Sequence, residues 1–141
     1  MTMKNKSLVN FIKTDLGCKC PEQVFSKIES SVISLNKGNI TSLVRVLVGE
    51  RLLIYIVCAS LQDLEKPLLE EMFIKGRADR DINSYNRFRL VVVTPDAERA
   101  ICNESLQDEF KTRLFDDDEK LHLHVIGADQ LPAEFQSDHA V

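Results

Sequence analysis

This chain of 141 residues has no tryptophan, and only 6% of it is aromatic. It also lacks any long apolar run. Its longest strings, Leu52–Ala59 and Leu90–Val93, fall far short of the roughly 20 residues that span a bilayer. Near the N-terminus, Ser7–Leu16 is broken by Asn10, Lys13, Thr14 and Asp15, so no signal-peptide core is expected. Positive charge is not in excess either: the formal net charge is −4 and the pI is near 5.4. No overall field attracts nucleic acid or anionic membranes, and neither is an expected partner. No glycine-rich loop follows any candidate strand, which leaves a nucleotide site without its usual support. No serine sits in a nucleophile-elbow sequence and His139 lies near the chain end, so no Ser/His/Asp triad can be nominated. The four cysteines do not form a disulfide framework in a chain of this type. Reduced thiols or metal ligands, in a cytoplasmic setting, are the expectation.

What is present suffices for one folded domain. Hydrophobic residues make up 44% of the chain and charged residues 28%, ordinary for a globular protein long enough to bury a core. Leu8, Phe11, Ile12 and Leu16 recur at helical spacing, with Gly17 placed to end that helix. Cys18-Lys19-Cys20 forms a connector, and Pro21 with Glu22 suits the start of a second short helix bearing Val24, Phe25 and Ile28. Ser30–Leu35 is a poorly patterned first strand. Ile40–Val48 and Arg51–Ala59 read as a hairpin joined by Gly49-Glu50, a pair suited to a two-residue type II′ turn. The second of these strands is apolar on both faces, as a central strand is.

A helix is expected from about Leu61 to Ile82, with Leu64, Leu68, Met72 and Phe73 facing the core. Phe88–Val93 is a second strand apolar on both faces. Thr94-Pro95-Asp96 then supplies an N-cap, a proline at the first helical position and an acid suited to the helix dipole. Cys102, Leu106, Phe110 and Leu114 mark the buried stripe of that helix, and Leu121–Ile126 is the last strand. The whole predicts an α/β fold: N-terminal helices, a β-hairpin, then two βαβ crossovers building a mixed sheet of four or five strands. Residues 1–129 form the domain and 130–141 a frayed tail.

Three groups of residues could carry chemistry. Cys20, beside a helix start and next to Lys19, is biased towards thiolate, so Cys18 and Cys20 are candidates for redox or nucleophilic chemistry. They could also supply two ligands to zinc or iron. His122 and His124, on one face of the last strand with Leu121, Leu123 and Val125 on the other, are the natural completion of such a four-ligand site. Packing of the two thiols between helices is the plainer reading of Cys18 and Cys20, as it is for Cys58 and Cys102. The carboxyl ends of the parallel strands offer Ser60, Asp63, Asp96 and Asp129 as a ligand site, although Ser60 and Asp96 equally suit helix capping. Lys75, Arg77, Arg80, Arg87 and Arg89 make the most basic stretch. Glu70, Glu71, Asp79 and Asp81 dilute it, and ion pairs on helix faces are its ordinary explanation.

The segments Leu16-Gly17-Cys18-Lys19-Cys20-Pro21 with Val24-Phe25, Asn86-Arg87-Phe88-Arg89-Leu90-Val91, and Leu121-His122-Leu123-His124-Val125 resemble a family of small uncharacterised prokaryotic proteins. The resemblance covers most of the chain. It implies a prokaryotic, cytoplasmic setting and assigns no residue a role. Taken with the residues themselves, the favoured function is a non-enzymatic binding or regulatory domain, with a homodimer available through an exposed strand such as Ser30–Leu35. The alternative is a thiol-dependent metal-binding or redox protein using Cys18 and Cys20.

Overall fold

A computed structural model describes residues 11, 28–37, 40–49, 51–58, 66–110 and 121–127. Apart from Phe11, the first expected N-terminal helix lies outside the described residues, as do the Cys18-Lys19-Cys20 connector, the tail and most of the second helix, whose expected last apolar residue, Ile28, instead opens a strand. Five strands form one mixed sheet in chain order: β1 (Ile28–Lys37), β2 (Ile40–Val48), β3 (Leu52–Cys58), β4 (Arg87–Thr94) and β5 (Leu121–Gly127). β1, β2 and β3 are antiparallel neighbours, whereas β3, β4 and β5 run parallel. Helix α1 (Lys66–Asn83) lies between β3 and β4 in the chain, and α2 (Arg99–Glu109) between β4 and β5. No described helix is long and apolar enough to cross a membrane.

Alternation along the strands sorts the core into two layers. Leu53, Tyr55 and Val57 of β3, with Phe88, Leu90 and Val92 of β4, pack with Met72 and Phe73 of α1 and Cys102 and Leu106 of α2. On the opposite face, Val44, Val46, Val48, Leu52, Ile54, Ile56, Val91 and Val93 pack together, with Phe11 against them. Residues 52–57 of β3 and 88–94 of β4 are all buried. Two apolar faces therefore correspond to a strand covered on both sides, as parallel strands usually are.

The connections depart from expectation in two places. Val48 pairs with Leu52, so the hairpin loop holds three residues (49–51) where the sequence suggests two. Gly49 supplies the left-handed conformation at φ 58°, and the Arg51 amide closes the turn on the Val48 carbonyl at 3.0 Å. The Arg51 carbonyl then accepts from the amides of Asn86 and Arg87 at 2.8 and 3.2 Å, which fixes the start of β4 beside β3. After β4, helix α2 begins later than the Thr94-Pro95 pair predicts. Thr94 is a buried strand residue paired with Gly127, and a short 3-10 turn over Asp96–Glu98 intervenes before Arg99. Its closing bond, from the Glu98 amide to the Pro95 carbonyl at 2.9 Å, uses the proline as a turn residue.

Helix α1 ends in a Schellman motif. The Tyr85 amide reaches the Arg80 carbonyl at 2.9 Å and the Ser84 amide reaches the Asp81 carbonyl at 3.3 Å. Ser84 takes the left-handed conformation, φ 61°, that glycine more often supplies there.

One polar cluster holds α1 to the sheet. Arg45 of β2 donates from Nε and Nη2 to the two carboxylate oxygens of Asp79 at 2.8 and 3.0 Å. Tyr55 of β3 donates its hydroxyl to Asp79 Oδ2 at 2.7 Å, and Asn83 donates to Oδ1 at 2.9 Å. Burial alone would raise the Asp79 pKa, but the Arg45 and Tyr55 hydrogen bonds outweigh it and hold the carboxyl below its usual range. Arg45 is raised above its ordinary range by that hydrogen bond to Asp79, against burial. Tyr55 is also raised, by burial and by its bond to the carboxylate.

Beside this cluster the helix lies close enough to the sheet to require glycine. A side chain added at Gly76 would fall within the Phe88 ring. That ring is fixed edge-on between Tyr55 and Phe73, at centroid distances of 4.9 and 5.9 Å.

Gly76→Ala should therefore destabilise the fold by about 1–3 kcal/mol, an overpacking cost that outweighs the better helix propensity of alanine; urea unfolding measures it. Asp79→Asn should cost about 2 kcal/mol, because it leaves the half-buried Arg45 facing an uncharged amide. The contribution of the Asp79 charge is complete above the unfolded carboxyl value of about 3.9 and is lost as pH falls through the lower folded value. The variant's acid-unfolding curve should lack that component.

Candidate functional site

On the sheet face away from the helices, the alternation that buries Phe88 and Leu90 against α1 turns Arg87 and Arg89 the other way. The same alternation in β5 puts Leu121 and Leu123 on the helix side and His122 and His124 beside the arginines. His122 pairs with Arg89 in the ladder, and each arginine reaches diagonally to the next histidine. Arg87 Nη1 lies 3.1 Å from His122 Nε2, and Arg89 Nη1 lies 2.8 Å from His124 Nε2. The two rungs are separated by about 6.7 Å along the strands.

Arginine can only donate. Both imidazoles must therefore accept at Nε2 and carry their proton on Nδ1, an assignment that follows from the partners. Burial, then the charges of Arg89 and His122, pushes the His124 pKa down to about 4. Burial, then the charge of Arg87, lowers that of Arg89. Arg89 is 7% exposed, and its Nε is buried with no hydrogen-bond partner. An unsatisfied donor of a charged group is costly in a native core. Among the described residues that share this face, none is a carboxylate: β2 and β3 contribute Val44, Val46, Val48, Leu52, Ile54 and Ile56.

Arg45 and Arg89 thus differ in kind. Arg45 has a carboxylate, whereas Arg89 has one neutral imidazole and an idle Nε. The stripe can hold an anion: two guanidiniums supply charge and planar donor geometry suited to oxyanions.

The other candidates fall as follows. His122 and His124 do share a face, but the Nε2 of each is turned to an arginine and the ring proton then sits on Nδ1, so neither ring presents a lone pair to a metal in this arrangement. A dication there would also meet two guanidinium charges. Among the described residues, no three His, Cys, Asp or Glu side chains converge as a metal site would need. Cys18 and Cys20 lie outside the described residues, and so do Ser60, Asp63 and Asp129. Asp96 opens the 3-10 turn at the carboxyl end of β4. Cys58 and Cys102 are free thiols within the two core layers. Burial pushes the Cys58 thiol up to about 11 and raises that of Cys102, where the Glu98 charge adds to it. Both are poor nucleophiles in these positions.

Arg87 and Arg89 are the residues that composition conceals. As members of a basic stretch they are balanced by nearby acids. The signal that isolates them is the strand alternation Arg87-Phe88-Arg89-Leu90, which sends both arginines to one face. No protein-family model, curated protein or solved structure matches the chain.

His124 gives this site a pH signature. From the ordinary histidine value near 6.5 down to about 4, the unfolded chain takes up a proton that the folded ring refuses. Stability should therefore fall as pH falls through that window, by up to about 3 kcal/mol. Denaturation midpoints measured across it should decline in the native protein, and the decline should flatten in His124→Gln.

Proposed function

We propose that this chain is a non-enzymatic binding or regulatory domain whose ligand presents a phosphate group to Arg87, Arg89, His122 and His124. The observation that carries the proposal is the Arg89 guanidinium, 7% exposed yet with a partnerless Nε. A native fold tolerates such a group where a ligand completes it, since the unmade bond otherwise costs about 1–3 kcal/mol. Two arginines without a described carboxylate on their face match a dianion better than a single carboxylate. The depth of Arg89 calls for a compact anionic group, which disfavours a nucleic-acid backbone lying across the surface.

Binding, as opposed to catalysis, follows from the same chemistry. Arginine neither gives up nor accepts a proton near neutral pH. Each imidazole spends its Nε2 lone pair on an arginine, and general-base work needs that lone pair. A cytoplasmic location belongs to the proposal, in keeping with the free thiols at Cys58 and Cys102.

Inorganic phosphate tests the proposal through thermal and urea unfolding of the native protein and Arg89→Met. A ligand at a hundredfold its Kd adds about 2.7 kcal/mol to stability, so phosphate should raise the native midpoint beyond chloride of equal ionic strength. Arg89→Met should lose that response. Without phosphate the variant should lie within about 1 kcal/mol of the native protein, because the loss of the unsatisfied Nε donor is offset by leaving His124 Nε2 without its donor. Equal responses in the two proteins, or none in the native protein, would sink the proposal.

A further inference from the structure

Strand β1 is an edge of the sheet, with β2 as its one neighbour among the described residues. Its partner strand is buried at Val44 and Val46, yet Glu29, Ser30, Ser31 and Val32 of β1 are exposed. Successive residues point to opposite faces, so both faces of β1 are open along this stretch. Val32 is 66% exposed while Val44, its ladder partner, is 3% exposed. The other large exposed apolar residues, Ile74, Ile82 and Ile101, are on the helices. An edge strand of ten residues without proline, and without charge from Ser30 to Asn36, lacks the usual guards against strand addition apart from the irregularity between Ser34 and Lys37.

We infer that β1 is the docking surface for a second copy of this chain, pairing antiparallel with its own counterpart about a twofold axis through Val32. The charges of the strand select this arrangement. Its only charged positions are Glu29 near one end and Lys37 at the other. Antiparallel self-pairing brings the acidic end of each copy to the basic end of the other, whereas parallel pairing would set Glu29 beside Glu29. With the axis at Val32, Ser31 comes opposite Ile33 and Ser30 opposite Ser34 in the chain register. Direct and diagonal cross-strand neighbours are the pairs that stabilise a sheet. Val32 meets Val32 across the axis, and each covers one flank of the other. The contact is isologous and closes as a dimer, joining two five-stranded sheets through their β1 edges. This inference is independent of the anion site, which lies on β4 and β5.

Sedimentation equilibrium of the full chain tests it, on the native protein and on Val32→Lys. The expected result is a native dimer and a folded, monomeric variant whose melting temperature falls only by the concentration-dependent share that dimerisation supplies, since Val32 is mostly exposed within the monomer. Val32→Cys provides a second route that survives any folding defect of the lysine variant. Directly opposed strand residues have Cβ atoms about 4.5–5.5 Å apart, so mild oxidation should cross-link this variant as a dimer well beyond the level the native cysteines produce. A monomeric native protein overturns the inference and leaves the edge to a different partner. A dimer that persists in Val32→Lys, or that fails to cross-link through position 32, places the interface elsewhere and overturns it equally.

Discussion

The rest of the fold depends on two strands that are buried on both faces. β3 and β4 cannot leave either side in water, because each buried aliphatic side chain contributes about 1.5–3 kcal/mol that exposure would forfeit. The sheet must therefore be covered twice. Helices α1 and α2 cover one side, drawn down by Met72, Phe73, Cys102 and Leu106. Phe11 belongs to the cover of the other. That second requirement is what desolvates Arg89: it occupies a position in β4 that the fold has to bury, between Arg87 and Val91 on the same face.

The sheet thus treats two arginines in opposite ways. Arg45 sits among apolar side chains but is answered by Asp79, and the pair is extended by Tyr55, Asn83 and the Tyr85 hydroxyl at 3.5 Å. Desolvation and attraction offset each other, leaving a clamp between β2, β3 and α1. Among the described residues, Arg89 has a neutral ring and a fellow cation beside it. Its contribution to the empty fold is a cost, and a cost retained in a close-packed interior points to use.

Much of this was legible in the chain and some was not. Valine, isoleucine and leucine runs announce β3 and β4, and Gly49 announces the hairpin, since each depends on local preference. The pairing of His122 with His124 on one face follows from a period of two. Long-range choices were hidden. Nothing local joins Arg45 to Asp79, 34 residues away, or tells that Phe88 would lie under Gly76. The ten-residue length of β1 was understated because its serines weaken the pattern, and pairing with β2 supplies what propensity lacks. The delayed start of α2 has the same origin: Thr94 caps well as a local sequence, but its place beside Gly127 in the sheet prevails. Of the candidate site, half was visible, the histidines. Their arginine neighbours were masked by acidic residues that, in three dimensions, belong to α1.

Strand order identical to chain order has a bearing on how the protein is made. Each strand emerging from a ribosome finds its neighbour already present, so the sheet can grow from one side without waiting for a distant segment. The exception in timing is β4. It has β3 and α1 to rest on at once, but its other flank stays open until β5 arrives, 26 residues after β4 ends. During that interval a strand rich in buried valine and leucine is a temporary edge, and crowding or a stalled ribosome at this point would favour pairing between nascent chains. Slow or hurried translation of the α2 segment should thus alter the yield of folded protein more than comparable changes elsewhere.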